Sequence, residues 1–191
     1  MSFTPTQQKI GEIFAPLAEL KRWVPYKLVW RPERNKYDKI PANGTRGLST
    51  TEPGDWLTLT EAMQVAAEHD LFGVGLVMTG GISSNGYRLV GFDFDGVTEP
   101  ERLLGMIATY FETSPSGKGL RAFALVPEEW ARQYRDTTDA KEPGCDHAEI
   151  YLGTSGRFLT VTFHASPEPR GISLLDEPTL ALLAQWLKPA L

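Results

Sequence analysis

The chain contains a single cysteine, Cys145, in 191 residues. One thiol excludes an intramolecular disulfide framework and a Cys-based structural zinc site. Long apolar runs are also missing. No stretch approaches the 18 or so residues of a membrane-spanning helix, so none is expected. The N-terminus, MSFTPTQQKI, lacks the basic-then-apolar pattern of a secretory signal, and the expected setting is the cytoplasm. There is no internal repeat and no low-complexity tract. A general basic excess is absent too: the net charge is −5, which by itself argues against a nucleic-acid binder. The length is enough to bury the core of one domain.

The distribution of charge is more informative than its sum. From Lys21 to Gly47 there are eight basic residues (Lys21, Arg22, Lys27, Arg31, Arg34, Lys36, Lys39 and Arg46) against Glu33 and Asp38. That segment carries +6 and leaves −11 for the rest of the chain. Trp23, Tyr26, Trp30 and Tyr37 interleave with the cations. Cations can track a phosphate backbone and aromatics can stack on bases. The alternative is a strand pair whose cations face water and whose aromatics mostly pack inward. Arg31, Arg34, Lys36 and Lys39 are the candidate DNA contacts.

What the chain does have is a pair of carboxylates at the end of an apolar run, Val90-Gly91-Phe92-Asp93-Phe94-Asp95-Gly96. On a strand, residues i and i+2 project from one face, so Asp93 and Asp95 would stand side by side. Like charges that close repel, and a divalent cation relieves the repulsion. The plainer alternative is a strand running into an acidic turn at Gly96.

Two later segments complete the pattern. Ser114-Pro115-Ser116-Gly117-Lys118-Gly119-Leu120-Arg121 gathers small residues, two glycines and two cations. Glycines let backbone approach an anion, successive N–H groups can form a nest, and Lys118 and Arg121 offer charge to phosphate. The plainer reading is an ordinary Ser/Gly/Pro loop with surface cations. Then Ala148-Glu149-Ile150-Tyr151-Leu152 and Arg157-Phe158-Leu159-Thr160-Val161-Thr162 flank a Gly/Ser turn and predict a hairpin. Glu149 would be a third carboxylate for a two-metal site.

The order apolar-Asp-x-Asp, then SPSGKGL-Arg, then AEIY before RFLTVT resembles the primase-polymerase domain of phage and plasmid replication proteins, in the archaeo-eukaryotic primase superfamily. The resemblance runs from Trp23 to about His164 and includes the weaker Trp23-Val24-Pro25-Tyr26, Lys39-Ile40-Pro41 and Asp55-Trp56. It implies one domain over residues 1–191. That domain would comprise an N-terminal α/β unit (1–70), a catalytic module like an RNA-recognition motif (71–165) and a C-terminal helix (166–191). It implies that Asp93, Asp95 and Glu149 bind two Mg²⁺ or Mn²⁺ ions. Ser114, Ser116, Lys118 and Arg121 would contact the incoming nucleoside triphosphate, with Arg157 at nucleotide or template. The implied partners are a single-stranded DNA template and a helicase domain or protein. The chain departs from the pattern at Arg121, where many members have His, and at Glu149, where many have Asp. Asp146 and His147 lie close enough to compete with Glu149.

Periodicity and turn signals predict helices over Gln7–Lys21, from Thr58 or Thr60 to Asp70, over Glu101–Phe111, over Pro127–Tyr134 and over Glu177–Leu187. Strands are expected over Arg22–Trp30, Lys36–Pro41, Gly73–Thr79, the Asp93 run and Leu120–Val126. The Gly73–Thr79 and Asp93 strands are expected to pair as a long-loop hairpin, and Arg135–Asp146 to be a polar loop. The fold class is α+β with a mainly antiparallel sheet. Two functional alternatives remain. Phe92–Val97 (FDFDGV) also satisfies the first motif of haloacid dehalogenase-like phosphatases, with Asp93 as nucleophile. The chain could also be a catalytically silent nucleic-acid-binding module. A P-loop is excluded, because Glu112 stands where its first Gly belongs and Gly119 replaces the Ser/Thr.

Overall fold

The computed structural model describes residues 5–141, 144–165 and 170–190, with side chains from Glu12 onward. The fold is α+β and its sheets are antiparallel throughout their named strands. In chain order the elements are α1 (Pro5–Ala18), β1 (Trp23–Arg31), β2 (Lys36–Pro41), α2 (Leu59–Glu68), β3 (Gly73–Val77), β4 (Ser83–Ser84) and β5 (Tyr87–Val97). There follow α3 (Pro100–Met106), β6 (Tyr110–Thr113), β7 (Leu120–Pro127), α4 (Glu128–Ala131), β8 (Tyr134–Arg135), β9 (Thr137–Ala140), β10 (Cys145–Tyr151), β11 (Phe158–Val161), α5 (Glu177–Ala184) and β12 (Lys188–Pro189). No helix among the described residues is long and apolar enough to cross a membrane.

The chain divides into two compact units, 1–77 with 157–161, and 78–156 with 162–191. The first holds a four-stranded sheet in the order β11-β3-β1-β2. Trp23, Val24 and Tyr26 are buried in it, and Trp23 donates its indole N–H to the Leu17 carbonyl at 2.8 Å. That bond fixes the end of α1 to the start of β1. Thr58, rather than Thr60, caps α2. Its hydroxyl accepts from the Glu61 N–H while Glu61 Oε2 accepts from the Thr58 N–H at 2.8 Å, a reciprocal capping box.

The second unit is built on a sheet in the order β6-β7-β5-β10-β9, with β4 beside β5. Val90, Phe92 and Phe94 of β5, Ala122 and Ala124 of β7, and Ala148 and Ile150 of β10 project from one face. They pack in one buried cluster with Leu103, Ile107, Leu183 and Leu187 from the α3 and α5 regions. Alternation then sends Asp93 and Asp95 to the other face.

Four sequence expectations change in the structure. The strands at 148–152 and 157–162 do not form a hairpin: β10 pairs with β5 and β9, and β11 pairs with β3. The turn between them is occupied with Asp136. Its Oδ1 accepts from the N–H groups of Leu152, Gly153 and Thr154 at 2.7–3.1 Å, and its Oδ2 accepts from the Ser155 N–H at 3.0 Å and from the Ser155 hydroxyl. A loop wrapped around that carboxylate does not turn its strand back on itself. The Arg135–Asp146 segment, expected to be a loop, consequently supplies β9 and the start of β10. Nor does β3 pair with β5. Gly80 and Gly81, at φ 76° and 71°, redirect the chain, and β5 takes β4, β7 and β10 as neighbours. Finally, the helix expected over Glu101–Phe111 stops at Met106. Ile107 is already extended, and the aromatic run Tyr110-Phe111 joins β7 as β6. Pairing to a neighbour outweighed a weak helical pattern there.

Candidate functional site

The register of the second sheet assembles a row of charged residues that is not contiguous in sequence. Glu149 of β10 pairs with Asp93 of β5, Asp93 with Arg121 of β7, and Arg121 with Glu112 of β6. Directly opposed residues share a face. Four strands therefore carry Glu112, Arg121, Asp93 and Glu149 in one line across the face opposite the core. Asp95 lies two residues along β5 and is paired with His147. Asp93, Asp95, Glu149 and Arg121, singled out by sequence motif, are thus brought onto one surface. Asp146 has the opposite parity on β10 and does not compete with Glu149. His147 has the same parity, and its Nε2 lies 3.1 Å from Glu149 Oε1.

The row is graded in burial. Asp95 is exposed and Glu149 half-buried, whereas Arg121 and Glu112 are 1% and 0% exposed. Arg121 Nη2 donates to Asp93 Oδ2 at 3.2 Å. Its Nε and Nη1 are buried without a partner, as is Asp93 Oδ1. Unsatisfied buried polar atoms carry a desolvation cost. A cluster that retains both a spare carboxylate oxygen and spare guanidinium donors suits a cation on one side and an anion on the other.

Glu112 is a third-neighbour carboxylate that the sequence reading did not assign to the site. Its Oε1 accepts from the Thr162 N–H at 2.9 Å, and its Oε2 from the Tyr110 hydroxyl at 2.9 Å and the Phe163 N–H at 3.2 Å. Burial pushes its carboxyl up to about 7. The hydrogen bonds from Thr162 and Tyr110, the Arg121 charge and the Phe163 hydrogen bond pull the other way. Burial, with the Glu112 charge and hydrogen bond adding to it, pushes the Tyr110 phenol well above its ordinary value. The signal for Glu112 lay in the symmetry of the Ser114–Gly119 turn. If β6 and β7 form a hairpin about it, the residue two before Ser114 faces the residue two after Gly119, which is Arg121.

A stability consequence follows from the raised Glu112 carboxyl. The unfolded chain titrates this group near 4.3 and the folded chain near 7. The stability contributed by the protonated group is fully present below about 4.5 and is lost as pH rises to about 7. In thermal melts from pH 4 to 8, the Tm of the wild type relative to Glu112→Gln is expected to fall through that window and level off above it. A constant difference across the window would refute the assignment.

The glycine loop between β6 and β7 is self-contained. The Gly117 N–H donates to the Ser114 carbonyl at 2.9 Å, the Lys118 N–H to Ser116 Oγ at 3.4 Å, and the Gly119 N–H to Ser114 Oγ at 3.1 Å. The N–H groups expected to make an anion nest are therefore turned inward. What the loop presents is the Lys118 side chain and the Ser116 hydroxyl, both exposed residues. Gly119 is required by close approach: a Cβ there would stand 2.4 Å from the Phe94 carbonyl oxygen and 3.4 Å from Asp95 Oδ1. The loop is in this way held beside Asp95.

The donor set Asp93, Asp95 and Glu149 is all oxygen, the chemistry that suits Mg²⁺ or Mn²⁺. Among the described residues no three His, Cys, Asp or Glu side chains converge as a ready cation cage. Glu149 turns toward His147 and Asp93 toward Arg121. Arg157 belongs to the first unit, as do the four candidate DNA-contacting cations. Arg31 Nε and Arg34 Nη2 both donate to Asp38 Oδ2, at 2.9 and 2.6 Å. No protein-family model and no curated protein sequence matches the chain.

Proposed function

We propose that this chain is a template-dependent nucleotidyltransferase, a DNA primase or polymerase serving replication of a phage or plasmid. One observation carries the reading: Asp93, Asp95 and Glu149 lie on one face of two directly paired strands, beside the Ser114–Gly119 loop and Arg121. Asp93, Asp95 and Glu149 would hold two Mg²⁺ or Mn²⁺ ions, and the spare Asp93 Oδ1 fits such a role. Bound there, the ions would supply the charge that stabilises the entering and leaving oxygens of an in-line phosphoryl displacement.

The chain's own residues would do the rest. Lys118 supplies a mobile positive charge to the triphosphate and Ser116 a hydroxyl, while the buried Ser114, whose Oγ accepts from the Gly119 N–H, would hold the loop in shape. Arg121, with two unpartnered donors, supplies a fixed fork. Arg always carries its charge, so Arg121 positions phosphate and moves no proton. Arg157 is proposed at nucleotide or template. Arg31, Arg34, Lys36 and Lys39 are proposed to hold single-stranded DNA. A helicase domain or partner would supply unwinding, and the proposed setting is the cytoplasm.

The phosphatase alternative is disfavoured by a specific feature. Its Asp-x-Asp motif opens a doubly wound parallel sheet, whereas β5 has only antiparallel neighbours. The deciding experiment is a gel assay with a single-stranded DNA template, labelled nucleotides and Mg²⁺ or Mn²⁺, with and without a primer. Template-dependent product is expected. No product under any combination, with phosphate release from an aryl phosphate instead, would overturn the reading.

A further inference from the structure

The first unit ends in a two-stranded ribbon. β1 pairs with β3 only over Trp23–Tyr26, while its partnership with β2 continues to Arg31↔Lys36. Beyond Tyr26 no third strand among the described residues covers β1. Alternation along this ribbon places Tyr26, Leu28 and Trp30 on one face with Tyr37 and Lys39 opposite them. Burial falls steadily along that face. Tyr26 is 2% exposed and sits in the core, whereas Trp30 is 44% exposed and its cross-strand neighbour Tyr37 is 57% exposed. Their rings lie 4.9 Å apart between centroids, at 59° to one another.

Two large aromatics placed in water at the end of a ribbon need a reason. A cross-strand aromatic pair steadies a hairpin by about 0.2–1 kcal/mol, and that role alone is the competing explanation. The surroundings point further. Arg31 and Arg34 are tethered to Asp38, which holds two guanidinium groups at the ribbon without consuming all their donors. Hydrogen bonds from Arg31 and then Arg34 hold the Asp38 carboxyl below its ordinary value, so the tether is ionised at neutral pH. Lys27 and Lys36 are exposed on the same ribbon and, with Arg31 and Asp38, alternate to the face opposite the rings. An exposed ring pair with Lys39 on its own face and further cations on the reverse of a ribbon only two strands wide, in a chain that is otherwise acidic, complements a polyanion that carries flat apolar faces.

We infer that Trp30 and Tyr37 form a base-stacking platform for single-stranded DNA, with Lys39 on the face of the rings and Arg31, Arg34 and Lys36 drawing the phosphates from the reverse face and the turn of the same ribbon. The identity of the strand rests on the polymerase reading above; the binding itself does not depend on catalysis. Stacking and charge have different signatures. Removal of a stacked aromatic costs about 1–3 kcal/mol per base, about five- to 150-fold in affinity, and leaves the counterion count alone. Removal of a cation that neutralises a phosphate flattens the salt dependence by about 0.7 per contact.

The test is fluorescence anisotropy of labelled dT20 in EDTA, without nucleotide, over a series of salt concentrations. Trp30→Ala with Tyr37→Ala is expected to weaken binding at least fivefold at every salt concentration, with the slope unchanged. Trp30→Phe with Tyr37→Phe should restore most of the affinity, because any aromatic face can stack. Replacement of Arg31, Arg34 and Lys36 by Gln should make the slope shallower. Circular dichroism melts of each variant separate loss of binding from loss of the hairpin. Unchanged dT20 affinity in a folded Trp30→Ala, Tyr37→Ala variant would overturn the platform, and tighter binding of rU20 than of dT20 would overturn its assignment to DNA. If no nucleotide is incorporated yet dT20 binding falls as described, the polymerase reading fails while the platform stands.

Discussion

Asp95→Asn and Glu149→Gln are each expected to lower nucleotide incorporation by more than about a hundredfold, without a matching loss of stability. Partners that only orient a metal ligand already cost ten- to a hundredfold when removed, so a ligand itself should cost more. Asp95 is exposed, so its amide replacement leaves no buried charge behind. Glu149 gives up one contact, to His147 Nε2. The measurement is the initial rate of template-dependent incorporation at saturating Mg²⁺ or Mn²⁺, alongside a thermal melt. Retained activity in either variant would remove that carboxylate from the site. Asp93→Ala behaves differently. From sequence, replacement of Asp93 and Asp95 together should remove their like-charge repulsion and hold or raise stability. The structure reverses that expectation, because Asp93 is the hydrogen-bonded counter-charge of a fully buried Arg121. Asp93→Ala strands that cation and should lower both activity and Tm.

Arg121→Ala is expected to lower the Tm by on the order of 10 °C. The guanidinium is 1% exposed and stands between Asp93 and Glu112 in the cross-strand row. Breaking a buried charge pair by removing one partner costs about 3–5 kcal/mol, and about 2–4 °C of Tm accompanies each kcal/mol in a domain of this size. The remaining carboxylates would also lose the charge that opposes their burial, so Glu112 should titrate higher still. Arg121→Lys keeps the charge but not the fork, and should recover only part of the loss. The functional arm is a nucleotide titration. If Nε and Nη1 receive a phosphate, Arg121→Lys should raise the KM for nucleotides more than it lowers dT20 affinity. An Arg121→Lys protein with unchanged nucleotide KM would leave Arg121 as a purely structural counter-charge.

Much of this protein was legible in the sequence because short-range rules govern it. The i, i+2 spacing of Asp93 and Asp95 decides that they share a face once β5 forms, and the apolar Val90, Phe92 and Phe94 decide which face is buried. The Thr58/Glu61 spacing likewise marks the start of α2. The mixture of helical and alternating segments, with turns between, specified an α+β fold.

Partner choice was a different matter. Glu112 fell just past the end of an expected helix and was given no role, and Asp136 read as one acid in a polar loop. Both matter only through groups far away in sequence: Arg121, Thr162 and Phe163 for one, the Leu152–Ser155 loop for the other. The strand at 158–161 had the composition to close a hairpin with β10, yet it completes the sheet of the other unit. The fate of the aromatics in the basic segment was equally hidden. Trp23 and Trp30 sit on one strand in similar local sequence, but β3 pairs beside Trp23 and not beside Trp30, so one is core and the other faces solvent. The sequence by itself determined which residues could share a face and which segments could bury one. Only the tertiary structure decided which strands lie side by side, because register is set by the joint packing of many side chains and loops, and no single segment contains that information.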